Sequence, residues 1–371
     1  MNTIIRRQSI CLTIAAAALA ATRPARAELP HAIAVADDVS DRIMLFDPRT
    51  GDYRGDLLVD ADPNADHLLA PLDCEVGPPL EQGGQQYPET ILVSDQRLQA
   101  ILAFDAASGA FLRTLIPSVS AHGMCYDPQG RLLVAAGDGG VRAYTTSGSY
   151  IQTTVPREPV DGPNNAWDVL VRPEVNGGAG DLIVSDPTLD VLLRFDLTGQ
   201  RLGVFAKLPS FRFVEQLARR LNGNVLAADT FGNAVHEFDP DGTWLRAIPV
   251  TRPRGVVELY TRNLLVASEE GVQLFDGQTG ELLATTMSGF PTTAPRFIST
   301  LRCPLPAVLG DLNGDGQLDG FDIGPFVLAL TNPQEFEQQY PTVRWKCAAD
   351  VNCSGSVDGF DIGPFVELLT Q

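Results

Sequence analysis

The sequence has little positive charge and few histidines. Its 371 residues include 27 Lys and Arg against 46 Asp and Glu, which gives a formal net charge of −19. A surface of this sign repels a phosphate backbone, so the composition excludes DNA and RNA as partners. A zinc site needs three or four converging nitrogen or sulfur ligands. The chain has only 4 His, which are far apart in sequence, and this disfavours a zinc lyase.

The sequence also lacks any apolar run long enough to span a bilayer, which takes about 20 residues. Its longest run covers the 12 residues 10–21, between the pair Arg6 and Arg7 and the small-x-small sequence at 25–27. That arrangement is typical of a cleaved export signal. We therefore expect residues 1–27 to be a signal peptide, no membrane span afterwards, and a secreted or cell-surface protein. The sequence leaves Sec and twin-arginine export both open.

What the chain does contain is an internal repeat. A short apolar strand recurs six times, and 11 to 13 positions after each start a second strand ends in an aromatic residue. The strands start at Ile33, Ile91, Leu132, Leu182, Val225 and Leu264, and the aromatic residues are Phe46, Phe104, Tyr144, Phe195, Phe238 and Phe275. Five of the six aromatic residues precede Asp, and Gly follows each of them four or five positions later. Asp and Gly there indicate a turn before the next strand.

Each repeat predicts a small antiparallel sheet that must be covered by neighbours, so six repeats predict a closed ring. The stretch 295–301 supplies a strand that the first repeat lacks, and we expect it to close the ring. The pattern resembles six-bladed β-propellers of the NHL-repeat and gluconolactonase-like group. It predicts an all-β six-bladed propeller over residues 28–303, and a β-sandwich is the alternative that does not explain six repeats.

In propellers the innermost strands line a central channel, where any chemistry is expected. The predicted innermost strands are the segments before each repeat, 72–76, 122–126, 165–169, 213–217, 254–258 and 296–299. Their polar residues, our candidates for a channel site, are His122, Asn165, Asp168, Glu215, Arg254 and Arg296.

The resemblance to gluconolactonase-like propellers implies one possible activity, that of a calcium-dependent lactonase. Lactonases of this group place a Glu, two Asn and an Asp at the channel mouth, and calcium prefers such oxygen ligands. Glu215, Asn165 and Asp168 supply three of the four, but no second Asn lies at a comparable position. No nucleophile elbow, phosphate-binding loop or Ser/His/Asp set is visible in the sequence. The sequence thus leaves catalysis open and favours binding.

The C-terminal region contains a duplicated motif. The run DGFDIGPFV occupies 319–327 and again 358–366. The first four residues of each copy are the last four of a twelve-residue loop. That loop has oxygen-bearing side chains at positions 1, 3, 5, 9 and 12 and Gly at position 6, a spacing typical of loops that bind calcium. The expected ligands are Asp311, Asn313, Asp315, the Gln317 carbonyl, Asp319 and Asp322 in the first loop, and Asp350, Asn352, Ser354, the Ser356 carbonyl, Asp358 and Asp361 in the second. Because Ser354 replaces a carboxylate, we expect the second site to be the weaker one.

The paired loops resemble the type I dockerin module, in which a helix follows each calcium loop. The resemblance covers residues 310–371 and implies a small all-α domain over residues 304–371 that holds two calcium ions and binds a cohesin module of a partner protein. Recognition in that family falls on loop positions 10 and 11, which are Gly320, Phe321, Gly359 and Phe360 here. Cellulosomal dockerins often carry small hydroxyl residues there. The two Phe side chains therefore either offer equivalent binding faces or pack inward.

Once the signal peptide is removed, an odd number of cysteines is left, so at least one of them is unpaired or bonded to another chain. Cys74 and Cys125 fall on neighbouring innermost strands, and Cys347 and Cys353 flank the start of the second calcium loop. A bridge within either pair stays open at this point.

These observations predict an exported propeller that binds a ligand, such as a glycan or a cell-surface component. A calcium-dependent dockerin-like module would tether it to a cohesin-like partner. The alternative is an extracellular carbohydrate-active or lactonase-type hydrolase, with its site in the propeller channel, that the same module delivers.

Overall fold

The computed structural model describes a propeller followed by a short helical segment. The described residues are 32–59, 67–87, 89–106, 108–137, 139–157, 162–175, 178–289, 293–301, 310–315, 317–340, 343, 345–349, 351 and 357–369. The predicted signal peptide, residues 1–27, lies outside them.

Twenty-six strands make up the first part. They are β1 (Ala32–Asp37), β2 (Arg42–Phe46), β3 (Tyr53–Val59), β4 (Pro71–Gly77), β5 (Leu80–Gln82), β6 (Gln85–Tyr87), β7 (Thr90–Asp95), β8 (Ala100–Asp105), β9 (Phe111–Ile116), β10 (Met124–Tyr126), β11 (Leu132–Ala135), β12 (Val141–Tyr144), β13 (Tyr150–Val155), β14 (Asp168–Val175), β15 (Gly178–Asp186), β16 (Val191–Asp196), β17 (Arg201–Ala206), β18 (Val214–Arg219), β19 (Val225–Asp229), β20 (Ala234–Phe238), β21 (Trp244–Pro249), β22 (Gly255–Glu258), β23 (Leu264–Ser268), β24 (Gly271–Phe275), β25 (Leu282–Ser288) and β26 (Pro295–Leu301).

Hydrogen bonding arranges these strands in six four-stranded antiparallel sheets. Their orders are β26-β1-β2-β3, β4-β7-β8-β9, β10-β11-β12-β13, β14-β15-β16-β17, β18-β19-β20-β21 and β22-β23-β24-β25, and β5 and β6 form a separate hairpin. We call the six sheets blades 1 to 6 in that order. The first strands of the blades contact one another in a closed circle. The predicted six-bladed propeller is therefore confirmed.

The ring is closed by the two ends of its own sequence. Strand β26 pairs with β1 in antiparallel register, with Ala32 opposite Leu301 and Val35 opposite Ile298. This pairing completes blade 1 and removes the open edge that an unpaired β1 would present. The predicted closing role of residues 295–301 is confirmed.

The core of the ring consists of apolar layers between adjacent blades, and β1 illustrates why. Ile33 and Val35 lie in a cluster shared with blade 6, whereas Ala34 and Ala36 lie in a cluster shared with blade 2. Successive side chains of a strand point to opposite faces, so a strand between two blades is buried on both sides. This explains why the repeated strands are continuous apolar runs.

The repeated glycine lies in the turn between the third and fourth strands of each blade. Its six copies, Gly51, Gly109, Gly148, Gly199, Gly242 and Gly280, all have positive φ. At Gly199 a Cβ atom would lie 1.7 Å from the carbonyl oxygen of Thr154 in blade 3, and at Gly242 it would lie 2.1 Å from that of Phe205 in blade 4. The absent side chain therefore lets the preceding blade approach, in addition to permitting the backbone angle.

The C-terminal segment contains α1 (Ile323–Thr331), α2 (Pro333–Gln339), α3 (Trp345–Ala349) and α4 (Ile362–Leu369). A single 3-10 turn, Gly320–Asp322 or Gly359–Asp361, leads into α1 and into α4. The duplicated residues Phe326 and Phe365 stack at 3.9 Å within one apolar cluster, so the two copies of the motif pack against each other. No helix in the described part of the chain is long and apolar enough to cross a membrane.

We expect the Gly199→Ala variant to lose about 3 kcal/mol or more of unfolding free energy, because it adds a clash with Thr154 to the strain of a positive φ. Gly130→Ala is the matched control, since Gly130 also has positive φ but no atom within 4 Å of the added Cβ. That control should lose only about 1 kcal/mol. Urea unfolding of both variants measures the difference, and equal losses would contradict the role of this glycine in blade packing.

Candidate functional site

The first strands of all blades begin at the same end of the ring, which we call the upper face. The turns that follow the second strands lie at this end too, because neighbouring strands are antiparallel. Five of the six predicted channel residues, His122, Asn165, Glu215, Arg254 and Arg296, lie within three residues of the start of a first strand. The sixth, Asp168, is the first residue of β14. The structure thus places the whole set near one end of the channel.

Buried aspartates hold the backbone of the upper face in place. Asp37, Asp95, Asp186 and Asp229 end the second strands of four blades, and each is fully buried. Each carboxylate accepts backbone N–H groups from the segment that leads into the first strand. Asp229, for example, accepts from Arg212 at 3.1 Å and from Phe213 at 2.9 Å. Burial alone would raise the pKa of Asp229, but the nearby His236 side chain and the hydrogen bonds from these backbone groups outweigh it and lower the pKa. The same contacts fix the positions of the residues that the upper face exposes.

A second set of polar side chains links the first strands around the channel. Asp73 of blade 2 accepts from the Met124 N–H of blade 3 at 2.8 Å and from the Ser299 hydroxyl of blade 1 at 2.5 Å. Gln216 of blade 5 accepts from the Val256 N–H of blade 6 at 2.9 Å and donates to the Ile298 carbonyl of blade 1 at 2.9 Å. These bonds tie blades 1 to 3 together, and likewise blades 5, 6 and 1.

Asp168 and Cys125 complete this circle of links through blade 4. The Asp168 carboxylate accepts from the Leu217 N–H of blade 5 at 2.7 Å and from its own neighbour Val169 at 2.8 Å. The Cys125 thiol of blade 3 donates to the Val169 carbonyl at 3.2 Å. Asp168 is therefore a structural residue whose two oxygens are both engaged. The bridge left open between Cys74 and Cys125 does not form, because the Cys125 thiol turns towards blade 4 and both thiols are free.

Charged residues meet at the upper face where blades 5, 6 and 1 adjoin. The Arg296 guanidinium pairs with Asp38 at 2.6 Å and lies 3.9 Å from Glu215 Oε2. Glu215 is only 3% exposed, and its Oε2 has no hydrogen-bond partner among the described residues. Burial raises the pKa of Glu215, although Arg254 and Arg296 oppose the shift. Burial and the charge of Arg296 lower the pKa of Arg254. Three of the predicted residues thus form one cluster.

An aromatic row lies beside this cluster, and the sequence analysis missed most of it. His122 stacks on Trp167 at 4.1 Å, Trp167 contacts Phe213 edge-on at 5.0 Å, and Phe213 contacts Phe231 at 5.3 Å. Burial lowers the pKa of His122 to about 4, so this imidazole is neutral at pH 7. The Trp167 Nε1–H has no acceptor within the described part of the chain. The signal available in the sequence was position, since Trp167 and Phe213 directly precede β14 and β18 and Phe231 follows β19.

A cleft of about 420 Å³ opens at the opposite end of the ring, between blades 5 and 6. Its charged residues are already paired with one another, because Arg220 binds Glu237 at 2.9 Å and Glu258 at 2.6 Å, and Arg246 binds Glu237 at 2.8 Å. Such a network stabilises the contact between the two blades. Because the charged side chains of this cleft are paired with one another, the upper face is the better candidate site.

In the first C-terminal loop, the described side chains fold back on the backbone. Asp322 is fully buried and accepts N–H groups from Leu312 at 2.8 Å and Asp319 at 2.9 Å, so it ties both ends of the loop together. Asp311 accepts from Gly314 at 2.7 Å. Asn313 and Asp315 likewise accept backbone N–H groups within the loop. Across the described residues, no group of three or more His, Cys, Asp or Glu side chains is assembled as a metal site.

The second loop is described at Val351 and over residues 357–361. Asp361 is fully buried and accepts the Asp358 N–H at 2.8 Å, which repeats the bond between Asp322 and Asp319. The other predicted ligands of this loop, Asp350, Asn352, Ser354 and Ser356, lie outside the described residues, as does Cys353.

The predicted partner-binding positions lie at the starts of α1 and α4. Phe321 is 78% exposed, so of the two orientations open for this side chain the structure has the outward one. Gly320 and Gly359 are exposed as well. Apolar residues at matching positions of the two helices remain exposed, namely Ile323 and Val327 on α1 and Ile362 and Val366 on α4. The side chain of Phe360 is outside the described part of the structure.

No protein-family model matches the chain. No curated protein is detectably similar to it in sequence. Among solved structures, a chain of a nidogen/laminin complex has a TM-score of 0.55 and 13% identity over 72% of this chain and 97% of its own. A putative gluconolactonase has a TM-score of 0.44 and 18% identity over 57% and 78% of the two chains. Streptogramin B lyase has 0.46 and 11% over 73% and 88%. The first similarity is one of fold, and it agrees with the six blades seen here.

Asp73 makes the stability of the ring depend on pH. Burial raises its pKa from 3.8 to about 6, although the hydrogen bonds from Ser299, Met124 and Cys74 oppose the shift. The folded state therefore keeps a proton that the unfolded state releases, and the unfolding free energy falls as pH rises from about 4 to 6. The contribution of Asp73 to this fall is up to about 3 kcal/mol.

Urea unfolding of the wild type and of Asp73→Asn at pH 4 and pH 6.5 measures this contribution. The variant cannot titrate at this position, so we expect its stability to fall less over the interval. Asp168, whose pKa is raised by burial and by the charge of Asp73, titrates in both proteins, and its smaller shift in the variant changes the difference in the same direction. Identical pH dependence in the two proteins would contradict the assignment.

Proposed function

We propose that this protein is an exported propeller that binds a glycan or another cell-surface component and is tethered to a cohesin-like partner. The tether is the calcium-dependent, dockerin-like segment 304–371. The observation that carries the proposal is the duplication: an identical nine-residue run occurs twice, and in both copies a buried position-12 aspartate accepts the position-9 N–H. The N-terminal sequence supports secretion or display at the cell surface.

Two calcium ions are the cofactor of the proposed tether. Asp311, Asn313, Asp315, the Gln317 carbonyl, Asp319 and Asp322 would hold one ion, and Asp350, Asn352, Ser354, the Ser356 carbonyl, Asp358 and Asp361 the other. The donor set consists entirely of oxygen atoms, which suits a hard cation. When bound, calcium neutralises carboxylates that the loop crowds together and ties the loop to the helix that follows it.

The proposed binding surface comprises the starts of α1 and α4, with Gly320, Phe321, Gly359 and Phe360 at its centre. Support comes from exposure, since Phe321 and the matched pairs Ile323 and Ile362, Val327 and Val366 are apolar and accessible. Apolar side chains exposed together are typical of protein contacts. Because the pairs come from the two copies of one motif, the segment presents the same side-chain types twice.

A hydrolase with its site in the propeller channel is the second candidate. The observation in its favour is Glu215, a buried carboxyl with a raised pKa at the upper face, as a general acid requires. A glycosidase needs a second carboxylate nearby, and Asp38 is engaged by Arg296. Hydrolysis of a glycoside or lactone that Glu215→Gln abolishes is the result that would favour this function over binding alone.

We expect the first calcium loop to bind more tightly than the second, because Asp315 is a carboxylate where the second loop has Ser354. Calorimetric titration of the full chain with calcium should resolve two affinities. Asp315→Ser should weaken the tighter site about tenfold, and Ser354→Asp should strengthen the weaker site by a similar factor. A stronger second site in the wild type, or no calcium binding at all, would contradict this part of the proposal.

We expect the immobilised mature chain to retain a protein that contains a cohesin module, in calcium but not in chelator. The sample is the extracellular and envelope fraction of the source organism. A double variant, Asp311→Ala with Asp350→Ala, should lose the partner together with calcium. Phe321→Ser should keep calcium and lose or weaken the partner, because this exposed side chain lies outside the apolar cluster of the segment. Calcium binding without any cohesin-like partner would refute the tether and leave the loops a stabilising role.

A further inference from the structure

We infer that the upper face binds a carboxylate-bearing sugar, a uronate unit of an acidic glycan. The site comprises Arg254, Glu215 and the aromatic row Trp167, Phe213 and Phe231. This inference rests on the proposed binding role of the propeller and is independent of the calcium tether.

The upper face carries a cation without an ion-pair partner among the described residues. Arg254 is half-buried and forms no ion pair within 4 Å among the described residues, in contrast to Arg296, which is held by Asp38. A desolvated guanidinium without a partner is costly, and a planar carboxylate is the group that its paired donors fit best. Arg212 lies two residues before the first strand of blade 5, and Arg252 lies three residues before the first strand of blade 6. The face is therefore locally rich in arginine although the chain carries a net charge of −19.

Two buried polar atoms of this face make no hydrogen bond within the described residues. Glu215 Oε2 can accept one, with only the Arg296 guanidinium near it at 3.9 Å, and the Trp167 Nε1–H can donate one. A buried polar group that makes no hydrogen bond destabilises the folded protein. A ligand that carries both hydroxyl donors and oxygen acceptors satisfies the two atoms together, and a sugar ring has both kinds of group around its edge.

The aromatic row supplies the apolar surface of the site. Phe231 is 50% exposed, and the Arg252 guanidinium lies 5.1 Å from its ring centroid. Phe213 and Trp167 continue the row towards the channel. Aromatic rings cover the C–H face of a pyranose while leaving its hydroxyl groups at the edge. Aromatic surface, a free guanidinium and unpaired hydrogen-bonding atoms together match an acidic sugar better than a neutral or purely apolar ligand.

The test is calorimetric binding of the full chain to trigalacturonate, with galactotriose as the neutral counterpart and a sulfated galactan oligosaccharide as a second anion. We expect trigalacturonate to bind at least tenfold more tightly than galactotriose. Arg254→Gln should weaken trigalacturonate binding tenfold or more and leave galactotriose binding unchanged, and Phe231→Ala should weaken both. Arg262→Gln, at a half-exposed arginine on the opposite end of the ring, is the matched control and should change neither.

Tighter binding of galactotriose, or an Arg254→Gln variant that binds trigalacturonate normally, would overturn the inference. Preference for the sulfated oligosaccharide would overturn the assignment to a uronate. The Asp311→Ala with Asp350→Ala variant must bind trigalacturonate like the wild type, which separates this result from failure of the tether. If none of the three oligosaccharides binds, both the uronate site and the glycan-binding role of the propeller are wrong.

Discussion

The pairing of β26 with β1 is the contact on which the rest of the structure depends. Each blade packs between two neighbours, so blades 1 and 6 cover each other only when the ring is complete. Closure also brings Ser299 and Ile298 next to Asp73 and Gln216, which completes the hydrogen bonds around the channel. Because Arg296 lies on the same strand, closing the ring also assembles the charged cluster of the upper face.

The fold could be predicted from the sequence because the repeat carries its own geometry. Apolar strand, aromatic residue and Gly recur six times and Asp recurs five times, and the turn glycines have both a required φ and a required closeness to the preceding blade. The aspartates at the strand ends can be read from the sequence, but their burial and their hydrogen bonds to the backbone cannot. Asp229 stabilises a segment that lies 16 or 17 residues before it, and only the paired strands reveal that contact.

The site was less predictable because it is formed by residues that the repeat does not specify. Placing polar residues near the first strands identified Glu215, Arg254 and Arg296, yet it also selected Asp168, whose oxygens are engaged by backbone groups. Trp167 and Phe231 were missed, since an aromatic residue outside the repeat reads as ordinary core. The C-terminal loops differ from this site, because the spacing of their expected ligands is plain in the sequence. The structure describes only part of that ligand set.

The chain leaves the ring at Leu301, at the end of β26 that lies away from the upper face. Any mechanical load carried through the C-terminal segment therefore enters the propeller along β26 and acts on its hydrogen bonds to β1 in shear. Hydrogen bonds between two strands that are loaded in shear resist together, because all of them must break at once. The strand that would bear such a force also carries Arg296, so pulling it loose would take apart the upper-face cluster as well.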